Sequence, residues 1–303
     1  MSGECHTDGY GIYLLNEHGK ELIGVRENDD LLSYEVEDGT WKICARAFEK
    51  MKHLEVLSFP ASLQKVEEDA FSNGPRDFHI INHSDQIIYE EDFLIDPATK
   101  TLLFYTGHAK DIVIPSSIHI IGRQAFRSCN TETIELGDSI EKIHEDAFTT
   151  CRMERVSFRK GKAYVYFPQK DIRLRQHMLE GFGNNGIFDF ARYDNDLLAG
   201  FMEDERMKMI AARLKWPLHL SQEVEEKYRS LVQKNIVSAV QCVGNAQDMF
   251  TMKLFLETQI IRPENVEECL EALHALDDLE AYAYVSDYQN KYFIKQDFDF
   301  DIG

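Results

Sequence analysis

The first half of the chain is written twice. Tyr13-Leu14-Leu15-Asn16-Glu17-His18-Gly19-Lys20-Glu21-Leu22-Ile23 returns 80 residues later as Phe93-Leu94-Ile95-Asp96-Pro97-Ala98-Thr99-Lys100-Thr101-Leu102-Leu103, apolar position over apolar position without a gap. Ile43-Cys44-Ala45-Arg46-Ala47-Phe48 then matches Ile121-Gly122-Arg123-Gln124-Ala125-Phe126, and Val66-Glu67-Glu68-Asp69-Ala70-Phe71 matches Ile143-His144-Glu145-Asp146-Ala147-Phe148. A repeat of this kind folds as a stacked array, because each unit buries its apolar edge only against its neighbours. An array presents surface, which points to binding rather than to an enclosed reaction chamber.

Within each copy the unit is an apolar residue, three variable residues, Ala, Phe, a polar turn and a short strand. Phe48 and Phe71 are 23 residues apart and Phe126 and Phe148 are 22 apart, inside the range of about 20–29 for leucine-rich repeats. Phe supplies the bulk of each layer, and Ala beside it lets successive coils approach. After each Phe, alternation of period two predicts a strand with one buried face. With Leu57, Phe59, Ile80, Ile134, Leu136, Val156 and Phe158 inward, a second set of residues lines an exposed sheet. The candidate contact row is therefore Val56, Ser58, His79 and Ile81 in one copy and Thr133, Glu135, Arg155 and Ser157 in the other. Each copy also carries a hairpin insertion, over Tyr13–Leu15 and Leu22–Val25, and over Phe93–Ile95 and Leu102–Tyr105, with turn-forming residues between.

The run from Phe93 to Tyr105, followed by Ile114-Pro115-Ser116-Ser117-Ile118 and Ile121-Gly122-Arg123-Gln124-Ala125-Phe126-Arg127-Ser128-Cys129, resembles the BspA-like leucine-rich repeat family of bacteria over about residues 10–160. The resemblance implies a solenoid fold and an adhesion or interaction role, often at a cell surface. Gly74 and Pro75 stand where the second repeat of that pattern would carry its Cys.

Beyond residue 160 the period becomes helical. Ser221 is a predicted N-cap, with Val224, Tyr228, Leu231 and Asn235 at helical spacing behind it. Ile236, Ala239, Val240, Val243 and Asp248 return 30 residues later as Val266, Cys269, Leu270, Leu273 and Asp278. Pro263 suits a first helical turn and Gly244-Asn245 a stop. Paired helices at this period are similar to ankyrin or HEAT units, although the T-P-L-H turn of ankyrins is absent. Tyr282, Tyr284, Tyr288, Tyr292 and Phe293 give the last helix an aromatic character, read first as core filling and second as a docking face. The expected fold is α+β: a leucine-rich-repeat solenoid with inserted hairpins over 9–160, an all-α helical repeat domain over 161–293, and an acidic, aromatic tail over 294–303.

The formal net charge is −20, most of it before residue 160. Such a surface repels phosphate backbones, so nucleic acid is not an expected partner. No apolar run approaches the roughly 20 residues of a spanning helix. The N-terminus lacks the basic and apolar regions of a secretory signal, so a cytoplasmic location is the default expectation. Six cysteines include no C-x-x-C pair, which argues against zinc and against a disulfide framework. Cys129 and Cys151 fill the same repeat position and read as small buried residues.

Gly181-Phe182-Gly183-Asn184-Asn185-Gly186 spells G-x-G-x-x-G without the strand and helix that a dinucleotide site needs. His79 and His83 on a strand stand about 13 Å apart, too far for one ion. Asp297-Phe298-Asp299-Phe300-Asp301 begins like a calcium loop but lacks its later ligands. No catalytic residue, metal or cofactor is expected. The leading expectation is a non-enzymatic scaffold that binds a protein or peptide. Two alternatives stand beside it: a small-molecule sensor or enzyme with a pocket at the junction of the two arrays, near residues 160–200, where Arg173, Arg175, His177 and Arg192 cluster, and a structural homo-oligomer.

Overall fold

The structure, a computed structural model, describes residues 4–158, 163–183, 187–200, 203–276 and 279–293. The expected tail over 294–303, Asp278 and Asn184 to Gly186 lie outside the described residues. Two compact units emerge, one of residues 1–161 and 171–189 and the other of 162–170 and 190–303.

The first unit is a β-solenoid. It opens with β1 (Glu4–Thr7) and the hairpin β2 (Gly11–Asn16) and β3 (Gly19–Val25), followed by β4 (Ser33–Glu35), β5 (Thr40–Ile43), β6 (Val56–Phe59), β7 (Lys65–Val66) and β8 (His79–Asn82). The second copy brings β9 (Ile88–Glu90), the hairpin β10 (Phe93–Asp96) and β11 (Thr101–Tyr105), then β12 (Asp111–Val113), β13 (Ile120–Ile121), β14 (Thr133–Leu136), β15 (Lys142–Ile143) and β16 (Arg155–Phe158). Helix α1 (Ile172–Leu179), capped by Asp171, closes the unit.

The parallel ladders set equivalent repeat positions side by side. Leu57 pairs with Ile80 and Ile134 with Val156 on one wall; Ile43 pairs with Val66 and Ile121 with Ile143 on the other. The hairpins start both copies of this second wall, since β3 runs parallel to β5 and β11 parallel to β13.

Between the walls runs a column of rings. Phe48 and Phe71 stack at 5.2 Å with 9° between their planes, and Phe126 and Phe148 at 5.4 Å with 11°. Near-parallel rings at that separation are offset, the arrangement their quadrupoles favour. Phe104 of β11 meets Phe71 at 5.1 Å, and its neighbour Tyr105 meets Phe126 at 5.6 Å, so the second hairpin carries the column from one copy to the next. This explains why every residue of β11 is buried.

The corners need left-handed backbone. Arg46 and Gln124, two residues before a Phe, and Asn73, Ser128 and Thr150, two residues after one, all have φ between 54° and 58°. Cys129 and Cys151 are free and buried, as their repeat position suggests. Gly74 has a physical reason to depart from the pattern: a Cβ there would collide with the Phe48 carbonyl. The Arg127 guanidinium, from the next copy, donates from Nη2 to the carbonyls of Phe71, Gly74 and Pro75 at 3.3, 3.0 and 3.4 Å.

At the first coil, Asp8 accepts hydrogen bonds from Tyr34 Oη at 2.7 Å, Tyr13 Oη at 2.8 Å and the Gly11 backbone N–H at 2.6 Å. Burial pushes the Asp8 carboxyl up, and the bonds from Tyr34, Tyr13, Gly11 and Tyr10 outweigh it, holding its pKa below the ordinary 3.8. A carboxylate with a depressed folded-state pKa contributes stability that is complete above the unfolded value and disappears as pH falls through the folded one. Urea melts between pH 7 and pH 2.5 should therefore show an acid-induced loss beginning near pH 4 that is smaller in Asp8→Asn. Equal pH dependence in both proteins would refute the assignment.

The second unit contains β17 (Ala163–Tyr166) and seven helices among the described residues: α2 (Phe190–Ala199), α3 (Glu203–Lys215), α4 (Gln222–Lys234), α5 (Ile236–Asn245), α6 (Met249–Glu257), α7 (Val266–His274) and α8 (Leu279–Tyr288), the last continued by a π-helical turn, Gln289–Phe293. Ser221 Oγ accepts from the Val224 backbone N–H at 3.3 Å and caps α4. The 30-residue recurrence becomes two helix pairs, α5 with α6 and α7 with α8, in which α5 also packs on α7 and α6 on α8. Ile236, Ala239, Val240 and Val243 are buried, as are Val266, Cys269, Leu270 and Leu273. Asp248 caps α6 by accepting from Thr251 N at 3.0 Å. Pro263 lies in the turn before α7 rather than in its first helical turn. Of the last helix, Ala281 and Val285 fill the core, while Tyr282, Tyr284 and Tyr288 are half-buried and Tyr292 is exposed.

A buried ion pair organises this unit. Arg213 Nε and Nη2 donate to Asp194 Oδ1 and Oδ2 at 2.7 and 2.9 Å, and the two side chains are 1% and 3% exposed. Tyr228 Oη donates to Asp194 Oδ1 at 2.9 Å, and Arg213 Nη1 donates to the carbonyls of Trp216 and Leu218.

Candidate functional site

The sheet wall opposite the hairpins carries the residues singled out from the sequence. Val56 faces His79 and Ser58 faces Ile81 across β6 and β8; Thr133 faces Arg155 and Glu135 faces Ser157 across β14 and β16. Between them Leu57, Phe59, Ile80, Ile134, Leu136, Val156 and Phe158 are buried. His79 and Ile81 are exposed and Val56, Ser58, Thr133, Glu135 and Arg155 half-buried.

Ser157 is different. It is 2% exposed, and its Oγ has no hydrogen-bond partner among the described residues. The alternating pattern assumes solvent on one face, whereas Val156 to Phe158 are buried on both faces, so Ser157 is not a surface residue.

The structure adds two strands that were too short for their period to be read. Ser33 and Glu35 of β4 continue the first pair of rows, and Asp111 and Val113 of β12 the second. Val113 is 65% exposed and Ile81 42%. Within the first unit each copy thus gives this wall a ladder of three strands, polar with isolated apolar side chains, and Arg155 Nε is held by Thr133 Oγ1 at 3.0 Å. Such a surface offers hydrogen-bonding and apolar anchors in register. Among the described residues no group of three or more His, Cys, Asp or Glu is placed to hold a metal ion. His79 and His83 are both exposed, and only His79 lies within the strand.

A second surface follows the turn edge of the same unit. One groove of about 550 Å³ is lined by Lys52, Arg76 and Arg127 among others, and a second of about 750 Å³ by Arg76, Arg152, Arg173, Arg175 and His177. Arg76 and Asp77 line both, so the two adjoin. Three members of the cluster read from the sequence meet here, while Arg192 stands on α2 in the other unit. The lining residues of this groove all belong to the first unit. Arg76, Arg127 and Arg152 were missed, since each comes from the turn of a different coil and nothing in their local spelling groups them.

The comparison with protein families bears on the solenoid. The family described as BspA type leucine rich repeat region matches in six copies over residues 26–95 and 99–168. Over those residues the chain is similar to a BspA-type leucine-rich-repeat region. Among solved structures the chain is similar to the pneumococcal vaccine antigen PcpA, at 17% identity and a TM-score of 0.37 over 41% of this chain and 33% of that one. A leucine-rich repeat protein of Bacteroides ovatus matches at 21% identity and a TM-score of 0.36 over 50% of this chain and 46% of the other. A leucine rich cell surface protein of Faecalibacterium prausnitzii matches at 19% identity and a TM-score of 0.29, over 50% and 38%. The chain spans less than half the length of each of these three. No curated protein matches it. No helix among the described residues is long and apolar enough to cross a membrane.

Proposed function

We propose that this chain is a non-enzymatic binding protein that engages a protein partner through the exposed wall of its BspA-type solenoid, with the helical unit serving as a second, ankyrin-like array. One observation carries the reading: β4, β6 and β8, and again β12, β14 and β16, align equivalent side chains in register across three coils. Repetition of one exposed position at strand spacing, about 4.8 Å, builds a flat and extended face of the kind that stable protein complexes bury. Ile81 and Val113 stand out of it as apolar anchors. Proteins with leucine-rich repeats commonly bind other proteins, which supports the reading.

Affinity capture from native lysate with the wild-type chain and with Ile81→Asp/Val113→Asp tests it. A partner captured by the wild type should bind the variant at least tenfold more weakly, since burying one apolar side chain contributes about 1.5–3 kcal/mol. Equal capture by a variant with an unchanged melt would overturn the assignment.

A further inference from the structure

The turn-edge groove has a charge opposite to that of the molecule that carries it. Although the chain bears −20, Lys52, Arg76, Arg127, Arg152, Arg173 and Arg175 all line the two adjoining grooves. Three carboxylates line them as well, Glu55, Asp77 and Glu180. Asp77 lies 3.9 Å from His108, and Glu180 lies 3.8 Å from His177. Among the described residues no carboxylate stands within ion-pair distance of Arg76, Arg127, Arg152 or Arg173, whereas Arg123, Arg229 and Arg262 elsewhere each have one.

Arg127 is the decisive member. It is 8% exposed, its Nε has no partner among the described residues, and Nη2 is held by backbone carbonyls alone. Carbonyl oxygens orient a guanidinium without neutralising it. A buried cation left uncompensated is strongly unfavourable, and it projects its field into the nearest cleft. Burial pushes the Arg127 guanidinium pKa down, and the like charge of Arg76 adds to the shift. The groove's polar lining is also built to hold shape: Ser128 Oγ and Thr150 Oγ1 lie 2.6 Å apart, and the Thr150 backbone N–H donates to Gln176 Oε1 of α1 at 2.9 Å.

The cations arrive from separate coils. Lys52 follows the turn at Phe48 and Arg76 that at Phe71, Arg127 lies in the turn at Phe126, Arg152 follows that at Phe148, and Arg173 and Arg175 belong to α1. A single small anion touches two or three such groups. A chain in extended form, rising about 3.3 Å per residue, passes more of them along its length.

We propose that this groove binds an extended acidic peptide, a segment of a partner rich in Asp and Glu, whose carboxylates are met by Arg76, Arg152 and Arg173 over the buried charge of Arg127. The groove is separate from the sheet wall, so it goes beyond the binding role proposed above, and capture by the wall tests that role independently.

Fluorescence anisotropy with a labelled octapeptide of alternating Asp and Glu, and with its Asn and Gln counterpart, tests the proposal on the full chain. The acidic peptide should bind at low salt at least tenfold more tightly than the amide peptide, and its affinity should fall as salt screens the contacts. Arg152→Glu/Arg173→Glu, at two exposed positions, should weaken it at least tenfold with an unchanged melt. Lys234→Glu/Lys253→Glu, the same change in net charge on α4 and α6, should leave it unaltered. The proposal fails if neither peptide binds, if both bind equally, if the groove variant binds as the wild type does, or if the helical control loses as much. It also fails if inorganic pyrophosphate near 1 mM displaces the peptide completely at constant ionic strength, because the site would then be one for small anions.

Discussion

Phe126→Ala and Phe148→Ala should each destabilise the solenoid by about 3–5 kcal/mol, the cost of emptying an aromatic site in a core that cannot collapse around the gap. The two rings are 0% and 2% exposed and stack on each other, with Tyr105 on one side and Phe182, 4.7 Å from Phe148, on the other. Collapse is blocked because the coils are fixed by their ladders: Phe126 N–H donates to the Ala147 carbonyl at 2.9 Å, and Ile121 pairs with Ile143. Urea melts followed by tyrosine and tryptophan fluorescence and by circular dichroism would measure the loss. Leu279→Ala, at a residue 74% exposed, should stay within about 0.5 kcal/mol and serves as the reference. A change below 1 kcal/mol in either Phe variant would mean that the column is not what holds the coils together.

In the helical unit, Asp194→Ala should cost about 3–5 kcal/mol, because it strands the Arg213 guanidinium in the interior. The pair is bidentate, at 2.7 and 2.9 Å, and Arg213 also lies 5.0 Å over the Phe190 ring. Removing both charges is a different matter. Asp194→Leu/Arg213→Met abolishes the desolvation cost along with the attraction, and apolar replacements of buried pairs are often neutral or better. The double variant should therefore melt higher than Asp194→Ala, and a double-mutant cycle should give a coupling of at least 1 kcal/mol. Additive losses would show that Asp194 and Arg213 act separately. Tyr228→Phe, which removes one hydrogen bond to Asp194 Oδ1, should cost about 1 kcal/mol.

These two sites mark the limit of what the sequence discloses. The Phe column was legible because Ala-Phe recurs at fixed spacing, and the strands were legible because one face of each is apolar. The hairpins appear where their turns are spelled, though each strand extends a residue or more beyond the apolar run: Gly11–Asn16 against Tyr13–Leu15, and Thr101–Tyr105 against Leu102–Tyr105. Periodicity reports a face, and it fails where an element has none. Ser157 looked exposed because its neighbours alternate, yet its strand is buried on both sides. Asp194, Arg213 and Tyr228 are 19 and 34 residues apart along the chain, and no local pattern marks them as partners. The arginine groove was half visible. Arg173, Arg175 and His177 sit together in the chain, but Arg76, Arg127 and Arg152 join them only because coils separated by dozens of residues share one edge.

The corner residues have a further consequence. Because Asn73, Ser128 and Thr150 reverse the chain in the same way two positions after a Phe, three coils leave their layers through the same corner. Val56 meets His79 as Thr133 meets Arg155, so a coil duplicated or excised whole would find the same neighbours waiting for it. Length in such a molecule is a heritable variable that selection can adjust by whole coils, without redesigning the junction each time.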